Sequence, residues 1–379
     1  MPLRITRRDL IGQAGAAVLA GAASAAPAAQ WRNRQTSMAY RRLGRTGLMI
    51  SEVVSGGDPI RSDNWKHLEL GLEMGLNYLD MAPGYGNGDC EAAYGKLLGG
   101  SSAKREKVFL TTKISGITGL RNRLYQEIFD GLPGARQEAL RQRAAELVRE
   151  RGIDKPGYLF EYFPGQRGQI APSYLSIAMQ PDYAHKVDGS ARFREFIVKS
   201  VEGSLQRVGT DYFDIVMCPH GALAPEELDM PEIVETFRRL QQQGKVRFLG
   251  VTSHTDPAGV LRRAAALGHY DCAMIAYNVI NGGYLEHAIQ EAVGRGMGVI
   301  AMKVAMPVAT HHRSLQPIPQ WRIDKLNRLI PGDEKPPLKA YTWALQNPNV
   351  SAVISNLWDA AFVRENLSVA GRKVELQPA

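Results

Sequence analysis

Short, unbroken apolar runs alternate along this chain with longer stretches in which apolar residues return every three or four positions. The short runs fall at 50–55, 78–81, 108–113, 213–218, 246–252, 273–277, 298–303 and 350–355. A run without polar alternation predicts a strand covered on both faces, which is the condition of a parallel sheet. The stretches at 64–74, 91–98, 193–208, 231–243, 257–267, 284–295, 336–346 and 359–370 predict amphipathic helices. Eight such strand–helix pairs predict a closed (β/α)8 TIM barrel, with residues 40–379 as one domain. The rival is an open, doubly wound sheet. It would place G-x-G-x-x-G after its first strand, where this chain has Gly56-Gly57-Asp58-Pro59. Ahead of the first strand, Gly44 and Gly47 lie between short apolar pieces and predict an N-terminal β-hairpin over 40–50.

The alternation is interrupted after strand 3, from 114 to 190. Within this insertion Leu140, Ala144, Leu147 and Val148 recur at helical spacing and predict a helix over 135–151. Beyond it Tyr158, Phe160, Tyr162, Phe163, Tyr174 and Tyr183 are separated by Pro and Gly. Aromatic residues on an irregular segment can wall a pocket. Because the insertion leaves the chain directly after Lys113, at a strand's C-terminal end, it is expected to be a lid over the site. The competing expectation is a unit that packs on the barrel's side or meets a second subunit.

Composition changes the picture mainly at the N-terminus. Arg7 and Arg8 precede an uncharged Ala/Gly-rich run that reaches Ala26. A charged start, a mildly apolar middle and small residues after it predict an export signal over 1–29, cleaved after Ala25 or Ala29. The paired arginines are similar to a twin-arginine signal, which would engage the twin-arginine export machinery and deliver a folded protein to the periplasm. The run falls short of the ~20 strongly apolar residues of a spanning helix, so no stable membrane insertion is expected. Residues 30–39 read as a flexible lead-in. The formal charge of +8 is scattered, part of it in Arg4, Arg7 and Arg8, and no basic block is interleaved with aromatics. Nucleic acid is therefore not an expected partner. Cys90, Cys218 and Cys272 lie far apart without a C-x-x-C, which argues against a disulfide framework or a metal site.

Candidate chemistry gathers at the strand ends. Asp80 closes the second run, Tyr85 follows in the loop Pro83-Gly84-Tyr85-Gly86-Asn87-Gly88, Lys113 closes the third run, and His220 lies just past the fourth. In a barrel of this kind the C-terminal strand ends carry the site. Singly, each has a structural reading: Asp80 as a turn cap, Lys113 as a surface charge, His220 as a bonded core residue. Four at consecutive strand ends point to one site.

These residues, with Thr111-Thr112-Lys113, Gly209-Thr210-Asp211-Tyr212-Phe213-Asp214, Gly244-Lys245-Val246-Arg247, 298–303 and Glu365-Asn366-Leu367, resemble an aldo-keto reductase. The resemblance implies an oxidoreductase that moves a hydride between a nicotinamide cofactor, NADP or NAD, and a small-molecule carbonyl or alcohol. It makes Tyr85 the general acid. An ordinary phenol titrates near about 10, too high for easy donation at neutrality, and a Lys113 ammonium beside it would lower that value. Asp80 would hold Lys113, and His220 would orient the substrate oxygen. For the cofactor it implies Gly57, Asp58, Thr252, Ser253, Met274, Lys303, Ser355, Asn356, Glu365 and Asn366. Met274 stands where the family commonly has a carboxamide-binding Gln. Members selecting a 2′-phosphate usually carry Lys or Arg near the positions of Asn356 and Phe362, and here Asp359 lies close by instead. The alternative is a non-catalytic barrel that keeps the pocket as a ligand-binding or accessory subunit.

Overall fold

Each of the eight apolar runs forms a strand, and the strands close on one another. The computed structural model describes residues 27–187, 189–310 and 317–378; residues 1–26, which hold nearly all of the expected export signal, lie outside them. The barrel strands are β1 Val53–Gly56, β2 Tyr78–Asp80, β3 Phe109–Lys113, β4 Phe213–Met217, β5 Val246–Ser253, β6 Cys272–Ala276, β7 Gly298–Met302 and β8 Ala352–Asn356. All pair in parallel and in chain order, and β8 returns to β1. The register runs Gly56–Asp80–Thr111–Ile215 across β1 to β4, so residues at the same height share one end of the barrel.

The expected hairpin is present, as Tyr40–Arg42 antiparallel to Leu48–Ser51, and it plugs the N-terminal end. Leu43, Leu48 and Ile50 enter the interior cluster with Val54, Tyr78, Phe109 and Ile215. At Gly44 the chain passes so near β7 that an added Cβ would lie 2.2 Å from the Gly298 nitrogen, at a φ of +49°, so this corner admits only glycine. Residues 30–39 are not the loose lead-in expected. Gln30–Trp31 pairs in parallel with Leu48 and Met49, and the Asn33 amide donates to the carbonyls of Leu72 and Leu76. Arg32 reaches the buried Asp214 of β4, where Arg105, Arg247 and the Leu110 amide also converge, at 2.5–3.1 Å. Every oxygen of that carboxylate is occupied.

The insertion holds three helices, Ile117–Asp130, Gly134–Arg151 and Ile170–Tyr183, before Ser190–Val208 rejoins the barrel. Only the middle helix follows from periodicity. Leu140 packs with Tyr125, Phe129, Met179 and Tyr183 in a satellite core, while Ile117, Leu124, Ala144 and Tyr174 join the main one. The insertion is thus built into the barrel's flank as well as reaching its mouth. Cys90, Cys218 and Cys272 are all buried and unpaired, and among the described residues no group of side chains could hold a metal ion.

Candidate active site

The four residues singled out at the strand ends meet at one mouth. Asp80 and Lys113 end adjacent strands β2 and β3 and are 2 % and 1 % exposed. The Lys113 Nζ donates to both Asp80 oxygens at 2.6 Å and to the Met81 carbonyl at 2.9 Å. Burial pushes the Asp80 carboxyl up from its ordinary range, with the Lys113 ammonium pulling the other way. That ammonium also stands 4.6 Å from the centroid of the Tyr85 ring.

Tyr85 is placed by the turn that follows it. Gly86, Asn87 and Gly88 all have positive φ, and a Cβ on Gly86 would fall 2.5 Å from the Arg61 Nε. Gly86 and Gly88, at φ of +58° and +91°, take backbone conformations that glycine adopts most readily, and this turn fixes where the phenol emerges. His220 meets the Tyr85 ring edge-on, with centroids 5.9 Å apart. Burial, then the charges of Lys113 and Lys303, hold its imidazole well below the ordinary pKa. It is neutral at physiological pH.

Two spaces open on this group. A cleft of about 940 Å³, counting the solvent in its mouth, runs from Asp80 and Tyr85 across the ends of β7 and β8. Gly57, Asp58, Met274, Lys303, Asn356 and Asn366 line it, with Trp358 and Phe362 at the β8 side. A second cavity, about 890 Å³ when its open mouth is counted, lies over Tyr85 and His220, walled by Ser115, Leu223, Thr255 and, from the insertion, Phe163 and Gln169. Asp58, Tyr85, His254 and Lys303 border both. Phe163 meets the His254 ring edge-on at 5.7 Å, whereas Tyr158 is drawn away to donate to Asp256 and Tyr183 to the satellite core. The aromatic segment therefore walls the cavity with only part of its rings.

Several residues expected at the cofactor do not reach the cleft. The Thr252 hydroxyl accepts from the Gly221 amide at 2.6 Å, and the Ser253 hydroxyl donates to the Ala222 carbonyl at 2.8 Å. Both are spent on holding the loop after β4. Ser355 sits behind the wall, accepting from Asn366 at 2.8 Å. Glu365 turns to solvent and pairs with Lys335. Conversely, His254 and Ser115 face the cavity and escaped the sequence reading. His254 follows Ser253 directly, and a polar residue one step past a strand end is the signal that could have found it. Its imidazole too is held well below the ordinary pKa, by burial and then by the Lys303 charge.

Comparison with known proteins agrees with this geometry. The model of the aldo/keto reductase family matches residues 57–161 and 176–377, so 162–175, with Phe163 and Gln169, falls outside the match. The chain is 26% identical over 226 residues to an aldo-keto reductase, AFTS1, of Alternaria alternata, matching 56% of this chain and 49% of that protein. It thus spans about half the length of that relative. It is 22% identical over 361 residues to the L-galactose dehydrogenase of Arabidopsis thaliana, at 88% of each. In fold it is similar to the holo form of aldo-keto reductase AKR11C1 from Bacillus halodurans, with a TM-score of 0.57 and 21% identity over 89% of this chain and 92% of that one.

Proposed function

The chain belongs to the aldo/keto reductase family, and on that premise we propose that it is a nicotinamide-dependent oxidoreductase acting on a hydroxyl-bearing carbonyl or the matching alcohol. The observation that carries this reading is the meeting of the cleft and the cavity at Tyr85, which borders both. A dinucleotide suits the cleft. A Cβ on Gly57 would lie 2.3 Å from the Asp80 carbonyl, so the wall there is bare backbone. Asn356, Asn366 and Lys303 supply polar contacts, and the exposed Phe362 supplies an aromatic face. When bound, the nicotinamide supplies the hydride chemistry.

The chain's own residues do the rest. Tyr85 gives its hydroxyl proton to the carbonyl oxygen in reduction and its phenolate takes the proton back in oxidation. Lys113 favours that phenolate through its charge, and Asp80 keeps Lys113 in place. His220 donates a hydrogen bond to the same oxygen. The second cavity is lined largely by polar side chains, among them Ser115, Gln169, His220 and Thr255, which supports a polar substrate with hydroxyls near the reacting carbon. Asp359, which accepts from the amides of Ala361 and Phe362 at 2.7 and 3.0 Å, puts a carboxylate at the helix start beside the cleft. That disfavours a 2′-phosphate there and supports NAD over NADP.

The test is titration of the purified protein with NADH and NADPH, followed by turnover of polyhydroxylated and plain aldehydes. Tyr85→Phe is expected to lose roughly 10²–10⁴-fold in kcat with cofactor Kd unchanged. A variant that kept more than about a tenth of wild-type turnover would end the proton-donor assignment. Export through the twin-arginine route is a second proposal, supported by Arg7 and Arg8 ahead of the weakly apolar run. Replacing both with Lys should leave a folded, uncleaved precursor in the cytoplasm, and normal processing of that variant would refute it.

A further inference from the structure

Beyond the family's four residues, the side chain that touches His220 is Ser115, the second residue after Lys113, where the chain leaves β3 for the insertion. Its Oγ lies 2.7 Å from the His220 Nδ1. The backbone of the same two segments is tied as well, through the His220 amide and the Ile114 carbonyl at 3.3 Å. Both side chains border the cavity over Tyr85. Ser115 has no other side-chain hydrogen bond among the described residues, and neither does His220.

A neutral imidazole has one N–H and one lone pair, and the group bonded to Nδ1 decides which nitrogen carries the proton. A hydroxyl has one hydrogen to place. If it goes to Nδ1, then Nε2 bears the proton and is a donor toward the cavity. If Nδ1–H donates to the hydroxyl, Nε2 becomes a lone pair that repels a carbonyl oxygen. Only the first arrangement can orient a carbonyl and stabilise the negative charge that gathers on it.

We infer that Ser115 is a positioning residue that donates to the His220 Nδ1 and so fixes the imidazole as the Nε2–H tautomer facing the substrate. This rests on the reading of His220 given above. It adds a role for the insertion's first turn: the segment that walls the cavity at Phe163 also sets, at its origin, the polarity of a catalytic ring.

The experiment is nitrogen NMR of protein labelled with ¹⁵N-histidine, at a pH where the ring is neutral, combined with steady-state kinetics of Ser115→Ala, Ser115→Thr and His220→Ala. In the wild type, His220 should show an unprotonated Nδ1 and a protonated Nε2. Ser115→Ala should turn this into a mixture and lower kcat about fivefold to tenfold, the loss of one neutral hydrogen bond, while cofactor Kd stays the same. Ser115→Thr, which keeps the hydroxyl, should restore both readouts. A wild-type ring protonated on Nδ1, or a Ser115→Ala protein with unchanged tautomer and kcat, overturns the inference. If His220→Ala alone left kcat intact, the role assigned to His220 would fall and this inference with it. A large His220→Ala loss beside an inert Ser115→Ala would overturn the Ser115 assignment alone.

Discussion

Asp214 and Asp80 are both buried carboxylates on this barrel, one near each end, and they keep different company. Asp214, by the plugged end, has Arg32, Arg105 and Arg247 around it and a backbone amide as well. Its partners come from the N-terminal segment, the approach to β3 and the start of β5, so one side chain fastens three stretches of chain. Asp80, at the open end, is ion-paired among the described residues with Lys113, and that cation lies against a phenol beside two cavities. A charge whose two oxygens are both held by donors can only hold structure. A charge pair beside open space can bias a proton.

The sharpest way to break this contrast is to remove each carboxylate and compare the losses. Replacing the Asp80–Lys113 pair together, as Asp80→Asn with Lys113→Met, should lower kcat roughly 10²–10⁴-fold. Stability should hardly change, because a buried ion pair recovers little beyond its own desolvation. Thermal unfolding of that variant checks it, and a marked drop in Tm would mean that both ends are structural. Asp214→Ala should do the reverse. Its loss should cost about 2–3 kcal/mol, as the arginines are partly exposed and can rehydrate, while kcat/KM of the folded protein is kept. Urea unfolding and kinetics on the same sample decide between these outcomes.

The histidines of the open end sharpen the comparison through pH. His220 and His254 both have folded pKa values well below the ordinary value. Above about pH 6.5 both are neutral in the folded and unfolded chains and contribute no slope. Below it the unfolded chain binds protons that the folded chain refuses, so stability falls as pH falls toward the folded values. Each contributes at most about 1.4 kcal/mol per pH unit, and His254→Asn should flatten that acid limb in urea unfolding. The smallest effect is expected at the insertion. Phe163→Ala or Gln169→Ala should raise KM for the substrate roughly threefold to tenfold while cofactor Kd stays put, consistent with losing one apolar or hydrogen-bonding contact. Unchanged KM in both would remove the insertion from the site and leave it a flank.

Barrel strands were legible because burial on both faces forces continuous apolar runs, and their ends moved by only a few residues. The helix expected over 64–74 shortens to Leu68–Glu73, since 61–67 form turns tied to one another. Two insertion helices escaped notice. Ile170–Tyr183 carries Pro181 within it, and Ile117–Asp130 has Gly119 and several charges in its span. Chemistry was legible where a residue closes a strand, as Asp80 and Lys113 do. It was not legible where a hydroxyl can turn either way. Thr252 and Ser253 satisfy the loop after β4, a demand made by backbone groups about thirty residues away that no local pattern displays. Glu365 likewise faces away from the cleft that Asn366 lines, and pairs with Lys335 in solvent.

The three buried cysteines have a consequence for how the folded protein meets its surroundings. Burial raises the pKa of each thiol well above its ordinary value, and exchange needs an accessible thiolate. Glutathione disulfide therefore finds no thiol on the native chain to attack, and neither does a thiol-alkylating reagent. Passage from a reducing to an oxidising compartment would leave all three thiols of the folded molecule as they are, with no disulfide to make or break on either side.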